Sequence, residues 1–171
     1  MPGPRCPSGR DDCVGDPLRR IYADTSVFGG VFDLEFTRFS RRFFDQARAG
    51  LFQLVVSDVV EGEISPAPPE VRDFYQSMLP FAEAVRGFEA ALDLREAYIA
   101  AGVVTPKALT DALHVATATV SHCSVLTSWN CVHIVHFQKI ALYNAVNTLK
   151  GYPEIAIHTP MEVIGYGDED V

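Results

Sequence analysis

Short apolar runs alternate along the chain with longer segments in which apolar residues recur at helical spacing. The runs are apolar at consecutive positions, without the alternation typical of strands that face solvent on one side. This pattern predicts strands that are buried on both faces, and therefore a parallel sheet covered by helices. The predicted strands are 19–26, 51–57, 124–127 and 155–157, with a weaker candidate at 82–88.

Helix signals fill the intervals between these strands. Phe36, Phe39 and Phe43 repeat at helical spacing, and Gly50 supplies a stop. Thr105 and Pro106 predict the start of a strong helix through 120, with threonine as N-cap and proline at the first helical position. Further helices are predicted at 58–64, 69–79, 89–101 and 134–149, and a short one from 160.

The resulting prediction is one α/β domain with a central parallel sheet of four to five strands flanked by helices. We place this domain at 19–166, after a disordered leader at 1–18 and before an acidic tail at 167–171. No apolar run approaches the roughly 20 residues that span a bilayer. The N-terminus lacks the apolar segment of a signal peptide, so we expect a cytoplasmic protein with no membrane association.

The charge is unevenly distributed. The formal net charge is −8, which argues against a large nucleic-acid footprint. Residues 1–50 carry +1, however, and residues 51–171 carry −9. Arg38, Arg41, Arg42 and Arg48 fall within about three turns of one predicted helix, where they form either a solvated face or a phosphate-contacting rim.

Asp24 directly follows the first apolar run, at the strand end where parallel sheets collect ligands. It is either a functional acid or an N-cap of the following segment. Thr25 and Ser26 are alternative caps, which favours the functional interpretation. The pair Gly29-Gly30 then predicts a loosened backbone.

Three further positions are candidates for chemistry. If Asp58 is a helix N-cap, Glu61 completes a capping box and Glu63 is left without a structural explanation. Asp111 lies in a largely apolar helix, where a carboxylate requires a partner or a metal; Lys107, four residues earlier, is the alternative partner. Asn130 follows another predicted strand, and its amide offers an oxygen ligand or a donor to water.

These residues resemble the PIN-domain family of metal-dependent nucleases, and in particular the VapC-like bacterial toxins of toxin–antitoxin pairs. The similarity covers about residues 20–166. The motifs that carry it are Ile21-Tyr22-Ala23-Asp24-Thr25-Ser26, Ser57 with Glu63, Ala108-Leu109-Thr110-Asp111-Ala112-Leu113-His114-Val115-Ala116, and Ser128-Trp129-Asn130 with His133-Ile134.

The resemblance implies that Asp24, Glu63 and Asp111 hold Mg²⁺ or Mn²⁺ and that the chain cleaves RNA endonucleolytically with a metal-activated water. It implies that Asn130 completes the catalytic set, at a position where many family members have aspartate. It also implies a small antitoxin partner and a homodimer. We expect hydroxyls to position water or phosphate, and the candidates are Thr25, Ser26 and Thr127.

Two other functions stay open at this point. One is a catalytically weak PIN-like binding module, favoured by Asn130 and by the net negative charge. The other is a phosphatase that uses Asp24 as nucleophile. Phosphatases of the haloacid dehalogenase type need an acid two residues later, where this chain has Ser26.

Overall fold

The structure is a computed structural model that describes residues 18–164. The predicted leader, apart from Leu18, and the predicted acidic tail lie outside the described residues. So do the last two residues of the predicted domain, 165 and 166.

Five strands form one sheet in which every neighbouring pair is parallel. They are β1 (Arg20–Ala23), β2 (Gln53–Ser57), β3 (Ala82–Val85), β4 (Val125–Thr127) and β5 (Ala156–His158). Their spatial order is β3-β2-β1-β4-β5. The predicted α/β class, with its parallel sheet flanked by helices, is confirmed, and the weak strand candidate at 82–88 is the edge strand β3.

Eight helices of the described region cover the sheet. They are α1 (Thr25–Gly30), α2 (Thr37–Arg48), α3 (Asp58–Ile64), α4 (Pro69–Met78), α5 (Glu89–Ala100), α6 (Leu109–Val120), α7 (Phe137–Leu149) and α8 (Pro160–Val163). Two 3₁₀ turns, Leu79–Phe81 and Pro106–Ala108, complete the elements. Helices α1, α2, α4 and α8 contact one another in one group, and α5, α6 and α7 in another.

The middle strands are buried because apolar helices lie against them. In β1, Tyr22 and Ala23 are fully buried, and in β2 every residue after Gln53 is buried. A strand covered on both faces leaves little room for polar side chains. Asp24 and Ser128 accordingly follow their strands instead of lying within them.

The largest local difference from the sequence prediction is α1. The Gly29-Gly30 pair was expected to loosen the backbone, but both glycines belong to this helix. Asp24 is its N-cap, and the Asp24 side chain accepts a hydrogen bond from the Ser26 N–H. The expectation that Thr25 or Ser26 would cap in its place is wrong.

The start of α3 also differs from the prediction. Ser57 is the N-cap and accepts from the Val60 N–H, so Asp58 becomes the first helical residue. The Asp58 carboxylate accepts instead from the Gly87 N–H at 2.8 Å. The capping box predicted for Glu61 is therefore wrong, because it required Asp58 at the N-cap.

The strand order creates a crevice between β1 and β4. The chain builds β2 and β3 on one side of β1, then returns to place β4 on the other side. Ala23 pairs with Thr127, so Asp24 and Ser128 leave the sheet side by side. Crevices of this kind, at the carboxyl ends of strands where the order reverses, are where open α/β sheets bind ligands.

No helix in the described part of the chain is both long enough and apolar enough to cross a membrane.

Gly30 lies where the side chains of α2 and of the segment after β4 approach the end of α1. A Cβ at Gly30 would be 2.6 Å from Ser40 Oγ and 2.8 Å from Trp129 Nε1, two atoms that are hydrogen-bonded at 2.9 Å. We predict that Gly30→Ala lowers the free energy of unfolding by about 1–3 kcal/mol, because the methyl group must push this pair apart.

The matched control is Gly29→Ala, where a Cβ meets nothing within 4 Å. Alanine there is neutral or stabilising by up to about 1 kcal/mol, since it restricts the unfolded chain. Urea unfolding of both variants measures the difference. Equal stability of the two variants would contradict the close approach at Gly30.

Candidate functional site

Asp24 is 4% exposed at the carboxyl end of β1. Its Oδ1 accepts from the Ser26 N–H at 3.1 Å and from the Ser26 hydroxyl at 2.6 Å. Its Oδ2 accepts from the Ser128 hydroxyl at 2.6 Å. A carboxylate has about four acceptor positions, and these three bonds occupy most of them.

Burial raises the pKa of Asp24 above its ordinary value, because the charged form loses its hydration. The electrostatic interaction with His114 opposes this shift most, and the hydrogen bonds from Ser128 and Ser26 oppose it as well, but together they do not cancel it. The charged form of Asp24 therefore lowers the stability of the folded protein. Such a group is typical of functional sites.

Glu63 approaches the site from α3 with about two fifths of its side chain exposed. Its Oε2 accepts from His114 Nε2 at 2.7 Å and from the Thr25 hydroxyl. The hydrogen bond from His114 lowers the pKa of Glu63; burial opposes it, and the Thr25 bond adds to it. Both donors among the described residues bind Oε2, which leaves Oε1 for water or a ligand.

Asp111 lies in the first turn of α6, where the partial positive charge of a helix start favours a carboxylate. Its Oδ1 accepts from Asn130 Nδ2 at 2.9 Å. The amide orientation of Asn130 is fixed, because its Oδ1 accepts from the backbone N–H groups of Val132 and His133. Asn130 therefore acts as a donor to Asp111, and its oxygen is already bonded within its own turn.

The predicted positioning residues divide into two kinds. Thr25 and Ser26 bind the acids directly, as described above. Thr127 is fully buried, and its hydroxyl has no hydrogen-bond partner among the described residues. The next residue, Ser128, supplies the hydroxyl that contacts Asp24.

The predicted arginine rim lies on α2. Arg38 and Arg41 are exposed, and Arg42 is half-buried. The Arg41 side chain bonds Thr37 in the same helix, and Arg38 lies over the ring of Phe39. The link from α2 to the site is Trp129, which precedes Asn130 and stacks on Phe36 with ring centroids 4.3 Å apart.

The donor chemistry of the site fits a hard divalent cation, because Asp24, Glu63 and Asp111 offer carboxylate oxygens. Within residues 18–164, however, no three His, Cys, Asp or Glu side chains converge as a group able to hold a metal ion. Mg²⁺ commonly uses only one or two carboxylates and completes its shell with water and phosphate. The residues fit that mode of binding, and the three-carboxylate set stays a prediction.

Two contacts of the site were missed by the sequence analysis. The sequence analysis assigns no role to His114, which is a buried histidine, 2% exposed, that bonds Glu63. Ser128 was noticed only as part of a motif, yet it bonds Asp24. The available signals were the spacing of His114 one turn after Asp111 and the position of Ser128 directly beyond β4.

Neither a protein-family model nor a curated protein sequence matches the chain. A solved structure does match: VapBC2 from Rickettsia felis bound to a DNA fragment from their promoter. The TM-score is 0.52 at 12% sequence identity, and the similarity covers 82% of this chain and 98% of that chain. The chain has a VapC-like PIN fold.

Within this PIN fold, Asp24 lies at the β1–β4 crevice, Glu63 reaches Thr25 from α3, and Asp111 reaches Asn130 from α6. Identity of 12% makes the similarity one of fold alone, so the role of each side chain rests on the contacts in this chain. Those contacts join Asp24 to Ser128, Glu63 to His114 and Asp111 to Asn130.

The pKa shifts of Asp24 and Glu63 have opposite signs and predict opposite effects on stability. A raised pKa in the folded state means that the Asp24 charge destabilises the protein once the pH exceeds both of its pKa values. A lowered pKa means that Glu63 contributes stability above its unfolded pKa and loses it as the pH falls through the folded pKa. At pH 7, therefore, Asp24→Asn should raise the melting temperature and Glu63→Gln should lower it.

Thermal unfolding in chelator between pH 3 and pH 7 tests this pair. Each kcal/mol corresponds to roughly 2–4 °C for a chain of this size. As the pH falls, the Asp24→Asn difference should shrink first, through the raised pKa of Asp24, and should be gone near the ordinary carboxyl value of about pH 4. The Glu63→Gln difference should shrink only below about pH 4, because the folded-state pKa of Glu63 is lowered. A shift of the same sign for both variants at pH 7 would refute the assignment of the two environments.

The Asp111–Asn130 hydrogen bond predicts that an acid at position 130 lowers the stability of this chain. Asn130→Asp would remove the donor and place a second carboxylate against Asp111. We expect a loss of about 1–3 kcal/mol at pH 7 from the unpaired, repelling groups. The swapped double variant Asp111→Asn with Asn130→Asp restores one donor and one acceptor, and should recover most of that loss. Additive losses in the double variant would show that the pair does not interact.

Proposed function

We propose that this chain is a metal-dependent endoribonuclease and the toxin of a toxin–antitoxin pair, acting in the cytoplasm. The observation that carries the proposal is the buried Asp24 carboxylate at the β1–β4 crevice, oriented by hydroxyl groups from the segments that follow β1 and β4. Glu63 and Asp111 are its companions, each with one oxygen bonded by the protein and the other left for a ligand.

Mg²⁺ or Mn²⁺ would be held by oxygens of Asp24, Glu63 and Asp111, with water completing the shell. Such an ion, when bound, neutralises charge on the phosphate and makes water a stronger nucleophile at neutral pH. The protein's own contribution is orientation. Ser26 and Ser128 fix Asp24, Thr25 and His114 fix Glu63, and Asn130 fixes Asp111.

Substrate binding requires cationic groups, because residues 51–171 carry a net charge of −9. We assign this role to Arg38, Arg41 and Arg42 on α2, the helix that Trp129 connects to the site. Contacts to phosphate would make affinity fall with salt while leaving sequence preference to other residues.

The proposed partner is a small antitoxin protein. This partner is supported by the similarity of the fold to VapBC2, which was solved bound to a DNA fragment from its promoter. We also propose a homodimer, which the mass of the protein in solution would test.

The alternative is a non-catalytic PIN-like binding module. The observation in its favour is that no three ligand-type side chains converge in the described region. A binding module would hold RNA without cleaving it, and the cleavage experiment separates the two functions.

The experiment incubates the purified chain with a mixture of structured RNAs plus Mg²⁺ or Mn²⁺. We expect endonucleolytic cleavage that excess chelator abolishes. Asp24→Asn and Asp111→Asn should each reduce the rate by at least about 100-fold, the upper end of losses for residues that only support a ligand. Asp73→Asn, at an exposed position on α4, is the matched control and should cleave normally.

Because Asp24→Asn is expected to be more stable than the parent, its loss of cleavage would not be a loss of folding. Cleavage that survives both substitutions would overturn the carboxylate mechanism. RNA binding without any cleavage, by a folded protein loaded with either ion, would support the binding module.

A further inference from the structure

A line of buried hydrogen bonds runs from the core to Glu63. The Ser57 hydroxyl lies 2.7 Å from the Tyr22 hydroxyl, which lies 2.8 Å from His114 Nδ1. His114 Nε2 lies 2.7 Å from Glu63 Oε2. Ser57, Tyr22 and His114 are each at most 3% exposed, so water does not substitute for these bonds.

The hydroxyl of Ser57, at the core end of this series of hydrogen bonds, decides which group donates in each bond. Ser57 Oγ accepts from the Val60 N–H as the N-cap of α3. If Tyr22 also donated to Ser57, the Ser57 proton would have no acceptor among the described residues. Ser57 therefore donates to Tyr22, and Tyr22 donates to His114 Nδ1. His114 is left with its proton on Nε2, which it donates to Glu63.

The line ends on one oxygen of one acid. His114 and the Thr25 hydroxyl both donate to Glu63 Oε2. A carboxylate oxygen that accepts two bonds has little capacity left, so Oε1 is the oxygen presented to a ligand. The same helix α6 carries His114 and, one turn earlier, Asp111. Helix α6 thus supplies one acid and orients another.

We propose that Tyr22 and His114 are positioning residues that hold Glu63 from the core: Tyr22 fixes the tautomer and ring orientation of His114, and His114 selects the Glu63 oxygen that faces the site. The effect of this positioning on kcat rests on the proposed nuclease function, whereas the hydrogen-bond geometry of Tyr22 and His114 does not. Residues of this kind, which orient a ligating group without touching substrate, typically change activity by 10–100-fold when removed.

The first test needs no activity. Nitrogen-15 NMR of the metal-free protein, labelled at histidine, reports which His114 nitrogen carries the proton. We expect the Nε2–H form, with an N–H proton that exchanges slowly because it is buried and bonded to a carboxylate. Tyr22→Phe should accelerate that exchange at least about 10-fold, since the ring loses its anchor. Tyr98→Phe, which removes another buried hydroxyl bonded to Asn147, should leave it unchanged.

The second test is kinetic. His114→Gln retains an N–H donor near Glu63, whereas His114→Leu retains none. We expect kcat to fall about 100-fold for leucine and about 10-fold or less for glutamine and for Tyr22→Phe. KM for RNA should stay unchanged, because phosphate contacts lie elsewhere. Tyr98→Phe should match the parent in kcat, with any loss of stability measured separately by thermal unfolding.

The outcomes separate the two proposals. An Nδ1–H form of His114 in the parent protein would overturn the positioning role whatever the enzyme does. So would an Nε2–H proton that exchanges equally fast in the parent and in Tyr22→Phe, or a His114→Leu variant with parental kcat. If the parent protein shows the expected NMR signature but cleaves no RNA, the positioning of Glu63 is supported and the nuclease function is refuted.

Discussion

The carboxylate buried at the carboxyl end of β1 needs hydrogen-bond donors, and the surrounding structure is arranged to supply them. Asp24 loses most of its hydration, so the protein must supply donors at short range. The Ser26 hydroxyl comes from the first turn of α1, and the Ser128 hydroxyl comes from the segment after β4. The same segment places Asn130 against Asp111. Satisfying one buried acid thereby fixes the relative positions of β1, β4 and α6.

Uncharged groups donate the hydrogen bonds that hold Asp24 and Asp111 in this crevice. Serine hydroxyls and an asparagine amide provide these bonds without cancelling the negative charge. Elsewhere the protein uses a cation for the same purpose, as in the ion pair between Arg20 and Glu83 at 2.6 Å. An acid held by neutral donors stays attractive to a cation, whereas an acid paired with arginine does not. The choice of donors therefore leaves the charge of Asp24 and Asp111 available to a cation.

Much of the fold was predictable because buried parallel strands have continuous apolar sequences, and the candidate acids were predictable because strand ends are visible in the same pattern. The exceptions have tertiary causes. Helix α1 includes Gly29 and Gly30, and the close approach of Ser40 and Trp129 leaves no room for a Cβ at Gly30. Asp58 and Ser57 are both good caps, and the choice depends on the distant Gly87 N–H. The bonds of His114 to Glu63 and of Ser128 to Asp24 span 51 and 104 residues, so local spacing places each residue near the site but does not reveal its partner.

That separation of 104 residues between Asp24 and Ser128 has a consequence for the order of synthesis. On the ribosome, Asp24 emerges early, while the strand that flanks it and the hydroxyl that binds it come from the last third of the chain. Until β4 is added, β1 lacks a neighbour on that side and its acid stays open to water. The crevice therefore forms only after residue 130 has been made. A chain that ends before β4 keeps Asp24 without the Ser128 hydroxyl that binds it.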